Sequence, residues 1–526
     1  MSWETEVDGI HQRRALAKEM GGAAGIARQH AKGVSTIRER IDGVLDPGTF
    51  REHGEGAGEP EYDDAGNLTG FTPPNYVVGI GRIEGRAVAV GGEDFSLRGG
   101  SPNPSGLRKS LYIEDLALKF KLPLVRFHEG GGGSVAGPSG ERKRGPAGDP
   151  VLTRPRFISL AETLATVPVV TCGIGPVAGL PAARLCASHF SVMVEPSTQV
   201  LIGGPAIVER ALGEKLTKEE LGGANVHLRN GVVNNGAKDE ADAFGQMRRF
   251  LDYLPANIWE LPPDRPSEDD PSRSEEALLD IVPRNRRKPF DMRRVLSLVL
   301  DRESFFEISP RYGRGQITGL ARLDGHPVGV LANDGRFYAG AMDADGAQKV
   351  RRFVELCDQF HLPIVSFVDE PGFMIGSASE RSGTMRHGAE AIVSVMRTQV
   401  PWVSVMVRKA YGVAAVAHFG PYATVFSWPS VEQGPLPIEG GVAVAYRRQI
   451  AAAPEPEKLR RELEERLRAA QSPFPRSESF SVQELLDPRE TRPALCEWLA
   501  LAKPTLAHLL PRTGALPRPV LWSAPR

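Results

Sequence analysis

The sequence predicts an α/β protein built of two domains that repeat one another, and three observations carry the prediction. With 526 residues, the chain is too long for one ordinary hydrophobic core. Blocks of the first half recur in the second about 240 residues later. In both copies, β-branched runs alternate with helical patterns. That alternation specifies a βα-layered domain with largely parallel strand pairing.

The repeat can be followed element by element. "GRIEGRAVAVGGEDF" from Gly81 is echoed by "ARLDGHPVGVLANDG" from Ala321, with Gly85 falling on Gly325 at a separation of 240. The helical patterns "SLYIEDLALKF" and "DGAQKVRRFVELCDQF" come next. "KFKLPLVRFHEGG" from Lys119 then pairs with "QFHLPIVSFVDEPG" from Gln359 at the same separation. "TVPVVTCGIGPVAGL" from Thr166 pairs with "QVPWVSVMVRKAYGV" from Gln399 at a separation of 233. The drop of seven fits an insertion, "GPSGERKRGPAGDP" at 137–150, found only in the first half. The expected division is therefore 1–265 and 266–526. The Pro- and acid-rich stretch 254–276 reads as a linker across the surface. Near the end, "PEKLRRELEERLRAAQ" places Leu459, Leu463 and Leu467 four apart, the stripe of a charged surface helix.

Composition and motifs exclude several functions. Lys+Arg 64 against Asp+Glu 65 gives no general attraction to nucleic acid or to an anionic membrane. The acidic start "MSWETEVDG" is no secretory signal, and no apolar run approaches the ~18 residues of a membrane span, so a cytoplasmic protein is expected. Cys172, Cys186, Cys357 and Cys496 are scattered and read as buried free thiols. There is no phosphate-binding G-x-x-x-x-G-K-[ST], no H-E-x-x-H and no G-x-S-x-G. "GIGPVAG" has glycines at 173, 175 and 179, misspaced for a dinucleotide loop. His128, His189, His387 and His418 lack ligand spacing and read as packed or surface histidines; no metal is expected.

What remains is backbone chemistry. A glycine loop just after a strand can present bare N–H groups, and two that converge form an oxyanion hole. Candidates are Gly131–Gly132 and Gly179–Leu180 in the first half, Pro371–Gly372 and Gly412–Ala414 in the second. The plainer alternative is tight turns at strand ends; recurrence in both halves weighs against it.

At these residues the sequence resembles the carboxyltransferase (β) subunits of biotin-dependent acyl-CoA carboxylases, the propionyl-CoA and methylcrotonyl-CoA carboxylase group. Blocks carrying the likeness run in order along most of the chain: "RRALAKEMGG", "ARQHAKGVSTIRERID", "PNYVVGIGRIEGR", "DFSLRGGS", "EALLDIVPRNRRKPFDMRRVLSLVLD", "DEPGFMIG", "RKAYG", "WPSVEQGPLPIEGGVAVAYRR" and "DPRETRP". The resemblance implies two tandem crotonase-like (ββα spiral) domains, assembled as a hexamer, a trimer of dimers. It places acyl-CoA on the N-terminal half and biotin on the C-terminal half, with sites at a dimer interface. Two backbone oxyanion holes would act, one on the thioester and one on the biotin ureido oxygen. No side-chain base is then needed.

By position, Gly179 and Leu180 fall on the first hole and Val413 and Ala414 on the second. Gly131, Gly132 and Gly133 would wall the acyl-CoA pocket, and Gly372, Phe373, Tyr411 and Gly412 the biotin side. Biotin would arrive on a separate chain, since no A-M-K-M stretch and no ATP-binding carboxylase domain is present. A biotin carboxylase and a biotin carboxyl carrier subunit are the implied partners. Departures from the family pattern are Leu180 and Val413, each in place of a second glycine. Leu and Val resist φ > 0 and would narrow the cleft. The basic loop "GERKRG" at 140–145 and a short stretch between Tyr411 and Trp428 also depart from it. Two alternatives stay open: a biotin-dependent acyl-CoA decarboxylase or transcarboxylase subunit, and a non-catalytic assembly paralogue.

Overall fold

Glu84–Gly85 and Asp324–Gly325 set the start of each half. All four residues adopt left-handed backbone, with φ of 49°, 77°, 47° and 77°. Two successive positive-φ residues make the tight turn whose twist matches a hairpin. In the computed structural model, which describes residues 2–131, 157–286, 288–469 and 472–511, the first turn joins β2 (Tyr76–Ile83) to β3 (Arg86–Glu93). The second joins β10 (Gln316–Leu323) to β11 (His326–Asn333). These hairpins are antiparallel, an exception to the parallel pairing expected from the sequence.

From each hairpin the chain climbs a long helix and returns as a parallel strand. Asn103 caps α2 (Pro104–Phe120), and Asp343 caps α7 (Ala344–Gln359), each accepting a first-turn N–H through its side chain. Both helices are followed by a left-handed residue, Lys121 (φ 56°) or His361 (φ 58°), and then by Leu-Pro. Parallel strands β4 (Leu124–Gly130) and β12 (Ile364–Glu370) come next, followed by β5 (Val169–Ala178) and β13 (Trp402–Tyr411). With β1 (Arg51–Glu52), β6 (Phe190–Val194), β7 (Gln199–Leu201) and β8 (Asn235–Ala237), the first half forms an eight-stranded sheet. Its order is β1-β2-β3-β4-β5-β6-β8, and β7 pairs with β5. The second half repeats that order with β9 (Phe306–Ile308), β14 (Thr424–Ser427), β15 (Glu432–Gly434) and β16 (Glu484–Leu485).

The repeat extends upstream of the two hairpins. α1 (Ile37–Val44) and α6 (Met292–Val299) each lead into an aspartate, Asp46 or Asp301. Each aspartate accepts both N–H groups of its hairpin turn: Glu84 and Gly85 at 3.0 and 2.8 Å, Asp324 and Gly325 at 2.9 and 2.8 Å. The separation here is 255 rather than 240.

Compact units divide the chain between Glu260 and Leu261. The stretch 254–276 is not a free surface linker. Leu254, Asn257 and Ile258 are buried in the first unit, where Arg86 holds the Leu251 and Leu254 carbonyls. Asp264 and Arg265 bind the second hairpin through His326 Nδ1 (2.5 Å) and the Gly325 carbonyl (3.0 Å). The leucine stripe does pack as expected. Leu463 lies in a small core with Ile438, Val442 and Ile450, flanked by Leu459 and Leu467. Cys172, Cys357 and Cys496 are buried and free, whereas Cys186 is only half-buried.

Lys349 supplies a pH test of the second core. Its ammonium is buried and donates to the Tyr312 and Gln316 carbonyls at 3.0 and 2.7 Å. Burial pushes its pKa down to about 7, against the attraction of nearby Glu307. The unfolded chain therefore binds more protons between pH 7 and the ordinary lysine range, so this residue makes stability rise with pH there, by up to about 1.4 kcal/mol per unit. Lys349→Met should flatten that rise in urea midpoints taken from pH 7 to 9.5; an unchanged slope would refute the assignment.

Candidate active site at the strand ends

In each unit the candidate residues gather where two neighbouring parallel strands end. Gly130 on β4 stands opposite Val177 on β5, so Gly131 and Gly179 emerge side by side. In the second unit Glu370 stands opposite Ala410, bringing the Gly372 loop to the Gly412 turn; a Cβ on Gly372 would lie 3.7 Å from the Tyr411 carbonyl. Gly132, Gly133 and the basic loop at 140–145 lie outside the described residues.

The turns themselves correct one expectation. Positive φ falls on the retained glycine in each unit, Gly179 at 67° and Gly412 at 63°. Leu180 opens helix α4 (Leu180–Cys186), and Val413 sits at φ −71°, ψ −32°, ordinary for any residue. Leu and Val therefore occupy positions that never required a second glycine, and the feared backbone strain does not arise. Leu180 and Ala414 each begin a helical turn, so their N–H groups have no acceptor within it. Gly412 differs, because its N–H is taken by the Gly434 carbonyl at 3.1 Å. Val413 points outward, 62% exposed.

Buried carboxylates hold the strand ends rigid. Glu129 accepts from Arg40 (2.6 Å) and Gln29 (3.0 Å), all three wholly inside the protein. Its counterpart Asp369 is clasped by Arg408 through Nε (3.1 Å) and Nη2 (2.9 Å) and by the Lys409 N–H (3.1 Å). Glu370 accepts from Gln316 and Asn333 and from the Gly372 N–H at 3.0 Å, tying the φ 120° glycine to the strand. Asp369 could be found from its 240-residue echo of Glu129. Arg40, 89 residues from its partner, gives no local signal.

The aromatic candidates are structural in part. Tyr411 is buried, its hydroxyl donating to Glu432 Oε2 at 3.0 Å. Burial first, then that carboxylate, pushes the phenol above its usual range. The Phe373 ring packs on Gly388, where a Cβ would come within 2.3 Å of it. His418 is fully buried against Ser366 Oγ (3.0 Å), consistent with a packed histidine. Among the described residues no three or more His, Cys, Asp or Glu side chains gather as a metal site would require.

Fold and site together define a tandem α/β protein whose two repeated units open at equivalent strand ends. Residues 28–513 match the model of the carboxyl transferase domain. The propionyl-CoA carboxylase carboxyltransferase subunit of Haloferax mediterranei is 34% identical over 96% of this chain and 97% of its own. The methylmalonyl-CoA decarboxylase subunit alpha of Veillonella parvula is 30% identical over 95% and 96%. Among solved structures, the transcarboxylase 12S hexamer with methylmalonyl-coenzyme A bound superposes with a TM-score of 0.84, at 28% identity over 96% of both chains. The chain belongs to the carboxyl transferase domain family.

Proposed function

We propose that this chain is the carboxyltransferase subunit of a biotin-dependent acyl-CoA carboxylase, with acyl-CoA on the first unit and biotin on the second. The observation that carries this reading is the doubled turn. A left-handed glycine at a parallel strand end leads, in both units, into a helical turn whose first N–H has no acceptor within the helix. Gly179 with Leu180 would hold the thioester oxygen as the α-carbon gives up its proton, and Val413 with Ala414 the ureido oxygen. Such donors fit an oxygen on which negative charge develops, since they need no reorganisation. Biotin, on a separate carrier, supplies the transferable carboxyl group. Gly131 and Gly372, Phe373 and Tyr411 would wall the two sides. Glu129 and Asp369, each buried against an arginine, hold those walls in place.

A biotin carboxylase, a carrier subunit and a hexameric assembly in the cytoplasm complete the proposal. No helix among the described residues is long and apolar enough to cross a membrane. The decarboxylase or transcarboxylase direction uses the same turns and remains the second reading, favoured by the Veillonella relative. The ordinary backbone at Leu180 and Val413 argues against a paralogue without chemistry. Purified protein given a ¹⁴C-carboxylated carrier and a panel of acyl-CoAs should label at least one thioester. No transfer in either direction would refute the proposal.

A further inference from the structure

Beneath the Gly179–Leu180 turn lies a buried polar cluster that the proposed chemistry does not use. Side chains alternate along β4. Phe127 and Glu129 face Phe244 and Arg40, so Arg126 and His128 face the opposite side. Arg126 is fully buried; its Nη2 donates to the Ser110 carbonyl (3.1 Å) and to Glu114 Oε1 (2.7 Å). Arg184, one turn beyond Leu180 on α4, brings Nε to within 3.3 Å of the same oxygen and donates from Nη1 to Ser110 Oγ. Ser159 donates to the other Glu114 oxygen, and His128 Nδ1 faces Glu93 Oε2 at 3.2 Å.

Glu114 is thus satisfied, but the groups around it are not. Arg126 Nε and Nη1, Arg184 Nη2, Tyr76 Oη and His128 Nε2 are all buried without a hydrogen-bond partner. Every one of these four residues is at least nineteen-twentieths inside the protein. Buried polar groups are rarely left unpaired, and guanidinium groups least of all. Burial also pushes the Tyr76 phenol up to about 12, so it stays a neutral O–H donor. The guanidinium N–H groups of Arg126 and Arg184 and the Tyr76 hydroxyl thus lack an acceptor, and a carboxylate matches the forked N–H geometry of the two arginines.

The second unit shows that the fold does not require this cluster. At the repeat positions of Arg126, His128 and Glu114 stand Ser366, Val368 and Val354, and Ala417 takes the place of Arg184. The cluster's position says what it would serve. Leu180 and Arg184 share one face of α4, and a helical side chain leans toward the helix start. The Arg184 guanidinium, held on Glu114 and Ser110, thus belongs to the helix that starts at the turn proposed to hold the thioester.

We propose that this cluster seats the far end of the acyl chain, and that the acyl-CoA taken by the first unit ends in a carboxylate besides the group transferred. This rests on the acyl-CoA reading above. The experiment compares binding of glutaryl-CoA and pentanoyl-CoA to the full-length protein by calorimetry, without carboxylated carrier. Glutaryl-CoA should bind at least about 10-fold more tightly. Arg184→Gln, which leaves Arg126 on Glu114, should remove most of that ratio, and Tyr76→Phe should reduce it by about 3-fold, each ratio being taken within one variant. Equal binding of the two thioesters, or a ratio unmoved in both variants, overturns the inference and leaves the carboxyltransferase reading intact. If neither thioester binds, both fall. Free glutarate that binds as well as its thioester would assign the seat to a free carboxylate and overturn the acyl assignment.

Discussion

Gly179→Val is expected to slow carboxyl transfer by about 100- to 1,000-fold, the range seen when one oxyanion donor is lost. At φ 67° and ψ −132°, Gly179 occupies backbone that side chains with a Cβ avoid and β-branched ones avoid most. Valine would swing the peptide toward an ordinary conformation and turn the Leu180 N–H away from its present direction. The cost should appear in the chemical step and less in folding, because Gly179 is exposed and the loop is not in the core. Leu180→Gly is the matched control. It restores the glycine pair of the family but changes no φ that leucine resists, so transfer should stay within about 3-fold of the parent. Single-turnover transfer from a carboxylated carrier, with circular dichroism to confirm folding, measures both. Gly179→Val retaining near-parental transfer would remove the first turn from the mechanism.

The same turns separate what the sequence makes legible from what only the fold reveals. The tandem architecture was legible because turn chemistry repeats: Glu84–Gly85 and Asp324–Gly325 demand the same left-handed pair, and Leu-Pro follows both long helices. The strand-end position of the glycine loops could be read for the same reason. The conformation inside each turn could not, since a Gly-Gly motif does not say which glycine carries the positive φ. The equivalence of α1 and α6 was hidden by a change of separation from 240 to 255. Proline and acid at 254–276 suggested an exposed linker, yet Leu254 and Ile258 are core residues there. Long-range pairs such as Arg40–Glu129 and Arg126–Glu114 leave no local pattern, because only the fold brings the partners together.

Arg40–Glu129 carries the largest expected effect on stability. Arg40 and Glu129 are 1% and 2% exposed, so Arg40→Met strands a carboxylate that water cannot reach. Breaking a buried pair from one side costs about 3–5 kcal/mol. Arg40→Met with Glu129→Gln should recover most of that loss, since a neutral amide can still accept from Gln29. The second unit offers an internal comparison. Asp369 keeps the Lys409 N–H, and Lys409 Nζ lies 3.6 Å away, so Arg408→Met leaves a cation within reach. Burial lowers the pKa of that lysine without removing its attraction for the carboxylate. Arg408→Met should therefore cost clearly less than Arg40→Met. Hydrogen exchange at the β4 and β12 amides, followed through urea, reports each unit separately. If Arg408→Met proved the costlier, the two carboxylates would not be equivalent anchors, and the strand ends of the two units would be held by different means.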